Sequence, residues 1–100
     1  MIKHLVWWTL KPQAEGNSAR ENALKLQGML NALKDLDCVQ SLETVVDVMP
    51  SSTEDVHLLL CSTHATLAQL KEYAAHPDHI EVADFMRKVV ANRKAIDYDI

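Results

Sequence analysis

The sequence has few of the residues that mark the most easily recognised classes of protein. It contains only two glycines, Gly16 and Gly28, so no glycine-rich loop is present to hold a nucleotide phosphate. Its two cysteines, Cys38 and Cys61, have no CxxC spacing and do not resemble a disulfide framework. We therefore expect two buried or half-buried thiols in a reducing compartment.

Basic residues and long apolar runs are also scarce. Ten Lys and Arg stand against 14 Asp and Glu, which gives a net charge of −4 with neutral histidines. Nonspecific nucleic-acid binding needs clustered cations, so this balance argues against a nucleic-acid partner. The apolar segment Ile2–Leu10 is too short to cross a bilayer and lacks the pattern of a signal peptide. No membrane contact is expected, and the sequence predicts a cytoplasmic protein.

The 100 residues are expected to form one domain, residues 1–100, in which strand and helix patterns alternate. Alternating or β-branched segments predict strands at residues 2–10, 39–49, 56–63 and 95–100. Ser18 and Glu21 form a capping-box pattern that opens a helix to about residue 35. Thr66 opens a second helix, which His76-Pro77 breaks, and Pro77 then begins a third helix to about residue 91.

The first and third predicted strands are apolar on both faces. In the first strand, Val6 and Trp8 alternate with Leu5 and Trp7. An α+β sandwich of β-α-β-β-α-β order, with a four-stranded antiparallel sheet, places these two strands in the middle and covers one face with helices. The other apolar face then needs a cover, since large exposed apolar patches are rare. A homodimer that pairs the sheet faces is therefore expected.

The densest group of chemically active residues is Tyr73-Ala74-Ala75-His76-Pro77-Asp78-His79. His79 precedes two core positions, Val82 and Ala83, by three and four residues, so its ring should point inward. Tyr73, and His4 on the first strand, can lean into the same gap between helices and sheet. An imidazole and a phenol that converge in a cavity form a common acid–base pair.

Two interpretations of these residues remain open. Taken singly, His4, His57 and Tyr73 each fit a packed core residue that is bonded to a carbonyl or hydroxyl group. Taken together, His79 and Tyr73 fit a catalytic pair equally well. Around them, the side chains predicted to border a ligand are His57, His76, Trp8, Phe85 and Met86.

A metal site is the competing possibility, because His76-x-x-His79 resembles the spacing of metal ligands. Pro77, however, keeps His76 out of the helix, and no third ligand follows at a fixed offset. We therefore predict neither a metal nor a cofactor.

Several of these segments resemble the stress-responsive α/β-barrel (Dabb) family over nearly the whole chain. The similarity lies in the opening Met1-Ile2-Lys3-His4-Leu5-Val6, in Tyr73-x-x-His76-Pro77-x-His79, and in Asp97 of the final strand. The resemblance implies a ferredoxin-like monomer and a dimeric α+β barrel made by two sheets face to face. The sequence departs from the family pattern at His64, where an aromatic residue is usual, and at His57, where Asp is common.

The resemblance implies two kinds of function. Some relatives are stress-associated proteins without a known reaction, while plant polyketide cyclases use a Tyr and a His that match Tyr73 and His79, without a cofactor. One hypothesis is therefore a small-organic-ligand protein or cofactor-independent lyase, cyclase or isomerase. In it His79 is the base, Tyr73 binds the developing enolate, and His4 orients the base or the ligand. The other hypothesis is a non-enzymatic dimeric stress or interaction protein with a structural histidine cluster.

Overall fold

The computed structural model describes residues 1–100, and its elements follow the alternation seen in the sequence. In chain order they are β1 (Ile2–Leu10), β2 (Gln13–Ala14), β3 (Asn17–Ser18), α1 (Ala19–Asn31), β4 (Ser41–Val45), β5 (Leu58–His64), α2 (Leu67–Ala75), α3 (Pro77–Val89) and β6 (Val90–Asp99). The short strands β2 and β3 form a hairpin around Glu15 and Gly16, both of which have positive φ angles. Glycine adopts such angles without the steric cost that a side chain adds.

The main sheet has four antiparallel strands in the order β4-β5-β1-β6. The two strands with apolar residues on both faces, β1 and β5, occupy its centre, as the sequence predicts. Val6 of β1 lies opposite Leu60 of β5 on one side and Ala95 of β6 on the other. The β-α-β-β-α-β arrangement and the ferredoxin-like fold class are therefore confirmed.

The helices begin at the residues that the capping patterns indicate. The Ser18 hydroxyl accepts a hydrogen bond from the Glu21 amide, and the Glu21 carboxylate accepts one from the Ser18 amide. Such a cap stabilises a helix by about 0.5–2 kcal/mol. The Thr66 hydroxyl accepts a hydrogen bond from the Gln69 amide at the start of α2. None of the helices has the length and the apolar composition that a membrane crossing requires.

Three elements, α1, β4 and β6, differ from the sequence prediction by about four residues or more at one end. Helix α1 ends at Asn31, not near residue 35, and a series of turns follows. Strand β4 covers Ser41–Val45 instead of residues 39–49, because it pairs only with β5, and that pairing stops at Val45 opposite Leu59. Strand β6 starts at Val90 instead of residue 95, since β1 offers it a partner along its whole length.

Helices α1, α2 and α3 cover one face of the sheet and leave the other open. The covered face and the helices share a core whose buried apolar residues are Val6, Trp8, Leu10, Ala23, Leu26, Leu30, Leu33, Cys38, Val39, Leu58, Leu60, Leu70, Tyr73, Val82 and Val89. On the open face Trp7 lies between Leu59 and Lys94, and Leu5 lies between Cys61 and Ile96. Ile96 is 51% exposed, so this face keeps apolar surface in contact with water.

Candidate functional site

A cavity of about 310 Å³ lies on the covered side of the sheet, beneath α3 and partly open to solvent. Strands β1, β5 and β6 form its floor, and α1 and α3 form its walls. Most of the lining is apolar, with two imidazoles and two guanidinium groups among it. The lining residues are His4, Val6, Trp8, Leu30, Leu60, His79, Ala83, Met86, Arg87, Val90 and Arg93.

The periodicities of strand and helix bring these side chains to one place. Alternate residues of a strand point to the same side, so His4 and Trp8 of β1 both face the cavity. On α3, residues three and four positions apart share one face of the helix. His79, Ala83 and Met86 follow this spacing and line the opposite wall.

His79 lies in the first turn of α3, in a position that the preceding turn determines. Pro77 occupies the first turn as well, and Nδ1 of His76 accepts a hydrogen bond from the Asp78 amide at 3.0 Å. Nδ1 of His79 is closed off from solvent and makes no hydrogen bond. A ligand in the cavity would therefore meet the ring at its other nitrogen, Nε2, or along its carbon edge.

Burial lowers the pKa of His79 below its ordinary value, because desolvation disfavours the charged imidazolium. The main-chain carbonyl of Ala74 acts in the opposite direction and raises the pKa of His79. The positive charge of Arg93 lowers the pKa of His79 further. The ring is therefore neutral near pH 7, which is the form that accepts a proton.

His4 forms a pair with a carboxylate from the neighbouring strand. His4 and Asp97 are register partners on β1 and β6, and His4 Nδ1 lies 2.5 Å from Asp97 Oδ1. The His4 side chain is 12% exposed and that of Asp97 is 49% exposed. A carboxylate at Nδ1 holds the proton there and leaves Nε2 as the acceptor of a neutral ring. The geometry thus fixes both the orientation and the tautomer of His4.

Four rings pack together at the inner side of the cavity, with Tyr73 at their centre. The Tyr73 ring centroid lies 4.7 Å from that of His79, 5.0 Å from that of His64 and 6.5 Å from that of His4. These separations fall in the range of favourable aromatic contacts. Tyr73 therefore holds the histidine rings in place by packing against each of them.

Tyr73 itself does not line the cavity. It is 1% exposed, and its hydroxyl group makes no hydrogen bond. Burial raises the pKa of the Tyr73 phenol well above its ordinary value, so the group is protonated at neutral pH. The structure therefore places a neutral, enclosed phenol behind His79, without direct access to a ligand.

His64 is a titratable residue close to the site, although the sequence did not predict it to belong there. It is fully buried, with Nδ1 2.6 Å from the Cys38 carbonyl oxygen and Nε2 2.9 Å from the Ser62 hydroxyl. A carbonyl oxygen only accepts, so Nδ1 carries the proton, and Nε2 of the neutral ring accepts from Ser62. Burial lowers the pKa of His64 and keeps the ring neutral. The expected aromatic position is thus filled by a satisfied histidine.

The structure brings some of the predicted ligand-bordering residues to the cavity and keeps others away. Trp8 and Met86 line it. His57 lies elsewhere, where its Nδ1 accepts a hydrogen bond from the Leu10 amide at 2.8 Å. Phe85 also lies outside the lining, and the ammonium group of Lys25 sits 4.3 Å from its ring centroid. Of these four residues, two remain candidates for direct contact with a ligand.

His76 is likewise absent from the cavity lining, because its ring caps α3 instead. The ring nitrogen that accepts from the Asp78 amide is not free to bind a metal alongside His79. No group of three or more His, Cys, Asp and Glu side chains is arranged to hold a metal ion.

Arg87 and Arg93 are lining residues that the sequence analysis assigned to no site. Arg87 follows Met86 on α3, and Arg93 lies on β6 opposite Trp8 of β1. Because the final strand was expected to begin at residue 95, Arg93 was not assigned to a face of the sheet. With β6 starting at Val90, strand alternation puts Arg93 on the same side as Asp97.

Comparison with known families gives a match over almost the full sequence. The family model described as the Stress Responsive A/B Barrel Domain (Dabb) matches residues 2–100. No curated protein matches the chain.

Solved structures with the same fold cover almost the whole chain. A dimeric protein of unknown function and ferredoxin-like fold from Bacteroides fragilis is 20% identical, with a TM-score of 0.81 over 99% of this chain and 95% of that one. A Dabb family protein from Mesorhizobium loti is 27% identical, with a TM-score of 0.66 and coverage of 99% and 95%. A protein described as an antibiotic biosynthesis monooxygenase is 14% identical, with a TM-score of 0.75 and coverage of 100% and 98%.

Proposed function

Because the chain belongs to the stress-responsive A/B barrel domain (Dabb) family, we propose that it acts as a homodimer whose cavity binds a small organic ligand. His79 is the proposed general base of a cofactor-independent lyase, cyclase or isomerase reaction in that cavity. The observation that carries this proposal is a neutral imidazole in the wall of a mostly apolar cavity.

The size and the lining of the cavity support a small-molecule ligand. Its volume of about 310 Å³ lies at the lower end of the range of roughly 300–1,000 Å³ found for ligand sites. Such sites are mainly apolar, with a few polar groups that fix the orientation of the ligand. Trp8 and Met86 supply apolar surface here, while His4 and His79 supply polar atoms.

The proposed reaction is proton transfer at a carbon next to a carbonyl group. Nε2 of His79 takes the proton, and the electron pair of the broken C–H bond forms an enolate. The imidazolium then returns the proton to another atom of the ligand, so the step needs no oxidant or reductant. His4, oriented by Asp97, is proposed to orient the ligand by accepting a hydrogen bond at Nε2 from a hydroxyl or N–H group of the ligand. Tyr73 is a positioning residue, which packs against the ring of His79.

One observation favours the alternative of a non-enzymatic dimeric protein with a structural histidine cluster. Tyr73 and His64 are both fully buried and line no part of the cavity. Their contacts with each other account for their presence as packing alone. Under this alternative, His79 would also be a packing residue, and the cavity would bind no ligand.

The proposed dimer forms through the open face of the sheet. That face carries Leu5, Trp7 and Ile96 without any helix to cover them. The structural relative from Bacteroides fragilis is itself dimeric. The cavity lies on the opposite side of the sheet, so a partner on the open face would leave the entrance to the cavity free. The reducing cytoplasm remains the proposed location, in keeping with the free thiols of Cys38 and Cys61.

The test is an NMR titration of the histidine side chains with a small library of aromatic and β-dicarbonyl compounds. We expect at least one compound to shift the His79 signals. The variant His79→Ala should no longer bind that compound, although its fold and its assembly should be unchanged. His79→Ala should also abolish any proton exchange that the wild type catalyses at the carbon next to the carbonyl.

The matched control is His76→Asn, which removes a nearby histidine outside the cavity and keeps a side chain that caps helices well. This variant should bind the same compound with unchanged affinity. Full affinity in His79→Ala would contradict the proposed role of His79. A library without any compound that shifts His79 would favour the structural alternative.

A further inference from the structure

The cavity lining has a charge opposite to that of the whole chain. The chain carries a net charge of −4, yet the lining contains two guanidinium groups, those of Arg87 and Arg93, and no carboxylate. Guanidinium groups bind carboxylates through two parallel hydrogen bonds, a geometry that gives both strength and specificity.

We infer that the ligand of this cavity is a small apolar molecule with a carboxylate group, which Arg93 binds and Arg87 assists. This inference rests on the proposed ligand site and names the chemical class of its ligand. The apolar part of the molecule would lie against Trp8 and Met86, with its carboxylate toward the exposed arginines at the edge of the cavity.

Arg93 is free to bind an anion because no acidic side chain of the protein neutralises it. It makes no ion pair, and its side chain lies on the cavity side of β6. The acidic residues on that side of the strand are already engaged. Asp97 pairs with His4 at 2.5 Å, and Asp99 pairs with the terminal amino group of Met1 at 3.1 Å.

Arg87 is paired, but weakly held. Its partner Asp84 lies three residues earlier on α3, and both side chains are more than half exposed. Exposed pairs at this spacing contribute only a few tenths of a kcal/mol. A ligand carboxylate that is also bound to Arg93 could therefore take the place of Asp84 at little cost.

The charge of Arg93 also acts on His79, because it contributes to the lowering of the His79 pKa. A carboxylate beside Arg93 would offset this charge. The same ligand group that Arg93 binds would then make His79 a stronger base. Ligand selection and proton transfer would thus be linked through one residue at the edge of the cavity.

The test compares matched acids and amides, which share shape and differ in charge. Benzoate with benzamide, and 3-phenylpropanoate with 3-phenylpropanamide, are titrated into the wild-type protein by calorimetry and NMR. We expect the acid of at least one pair to bind at least tenfold more tightly than its amide. In Arg93→Gln, the acid should lose at least tenfold in affinity and the amide less than twofold.

The control is Lys88→Gln, which removes one positive charge from an exposed position of α3 that does not line the cavity. It should keep the preference for the acid. Equal binding of acid and amide to the wild type would overturn the carboxylate inference and leave the proposed ligand site intact. An equal loss of affinity for the acid and the amide in Arg93→Gln would overturn the proposed role of Arg93. Absence of binding by all four probes, with His79 unshifted, would count against both the inference and the ligand site.

Discussion

Acidification should destabilise this protein through two imidazoles, the buried ring of His64 and the half-buried ring of His79. Burial lowers the pKa of both His64 and His79 in the folded state. The unfolded chain, whose histidines titrate near pH 6.5, then binds more protons than the folded protein as the pH falls below that value. The free energy of unfolding is therefore highest above pH 6.5 and decreases below it, until the pH reaches the folded-state pKa values.

The size of this decrease follows from proton linkage. Between pH 7.5 and pH 5.5, each histidine that stays neutral in the folded state lowers the free energy of unfolding by about 1.4 kcal/mol. Two such histidines set an upper limit of about 2.7 kcal/mol, a large share of the roughly 5–15 kcal/mol that stabilises a domain. The other shifted groups titrate outside this window. The Ser18 amide lowers the pKa of the Glu21 carboxyl, and burial raises the pKa of the Cys38 thiol.

The variant His64→Asn separates the contribution of His64. Asparagine keeps an N–H donor for the Cys38 carbonyl but cannot titrate, so the decrease between pH 7.5 and pH 5.5 should be roughly halved. At pH 7.5 the variant should also lose about 1–3 kcal/mol, because the Ser62 hydroxyl is left without its partner. Urea unfolding followed by the fluorescence of Trp7 and Trp8, at a fixed protein concentration, measures both effects.

The control for this experiment is Ser62→Ala, which removes the same hydrogen bond and keeps the titratable ring. It should be less stable than the wild type at pH 7.5 but retain the wild-type decrease on acidification. The reasoning fails if the wild type is equally stable at both pH values. It also fails if His64→Asn shows the full wild-type decrease, since the protons would then bind elsewhere.

Two further predictions concern the open face and the buried phenol. Leu59→Asp places a charge beside Trp7 on the open face, where a partner subunit would bury it without a counter-charge. Sedimentation velocity should therefore show a dimer for the wild type and a folded monomer for the variant. A monomeric wild type would contradict the proposed assembly. Tyr73→Phe removes a buried hydroxyl without a hydrogen-bonding partner, so the free energy of unfolding should stay the same or rise. A loss above about 1 kcal/mol would mean that this hydroxyl binds a group such as an ordered water.

The fold could be predicted from the sequence because its signals are local. The two-residue alternation of β1, the capping box at Ser18 and the break at Pro77 each act over a few residues. The ends of the strands were harder to predict, since a strand continues only where a neighbour pairs with it. Strand β6 extends back to Val90 because β1 provides partners as far as Leu10, which no local pattern reveals.

The candidate site likewise has features that local sequence patterns predict and features that depend on tertiary packing. The helical spacing of His79 from Ala83, and the strand parity of His4, were sufficient to predict that both residues face the cavity. The role of His64 depends on the carbonyl of Cys38, 26 residues away, and on a loop whose path the sequence does not specify. Tyr73 was predicted to contact a ligand, but whether a ring lines a cavity or lies behind another ring depends on packing in three dimensions.

The pairing register of β1 connects the two surfaces on which the proposed function depends. His4 and Trp8 face the cavity, while Leu5 and Trp7 face the proposed dimer interface. A shift of one residue would exchange these two sets, because side chains alternate strictly along a strand. His57 helps to hold the register at the end of β1, since its ring accepts from the Leu10 amide and its own amide donates to the Trp8 carbonyl. His57 would thus support the ligand site without touching the ligand, and it would support the dimer interface through the same two hydrogen bonds.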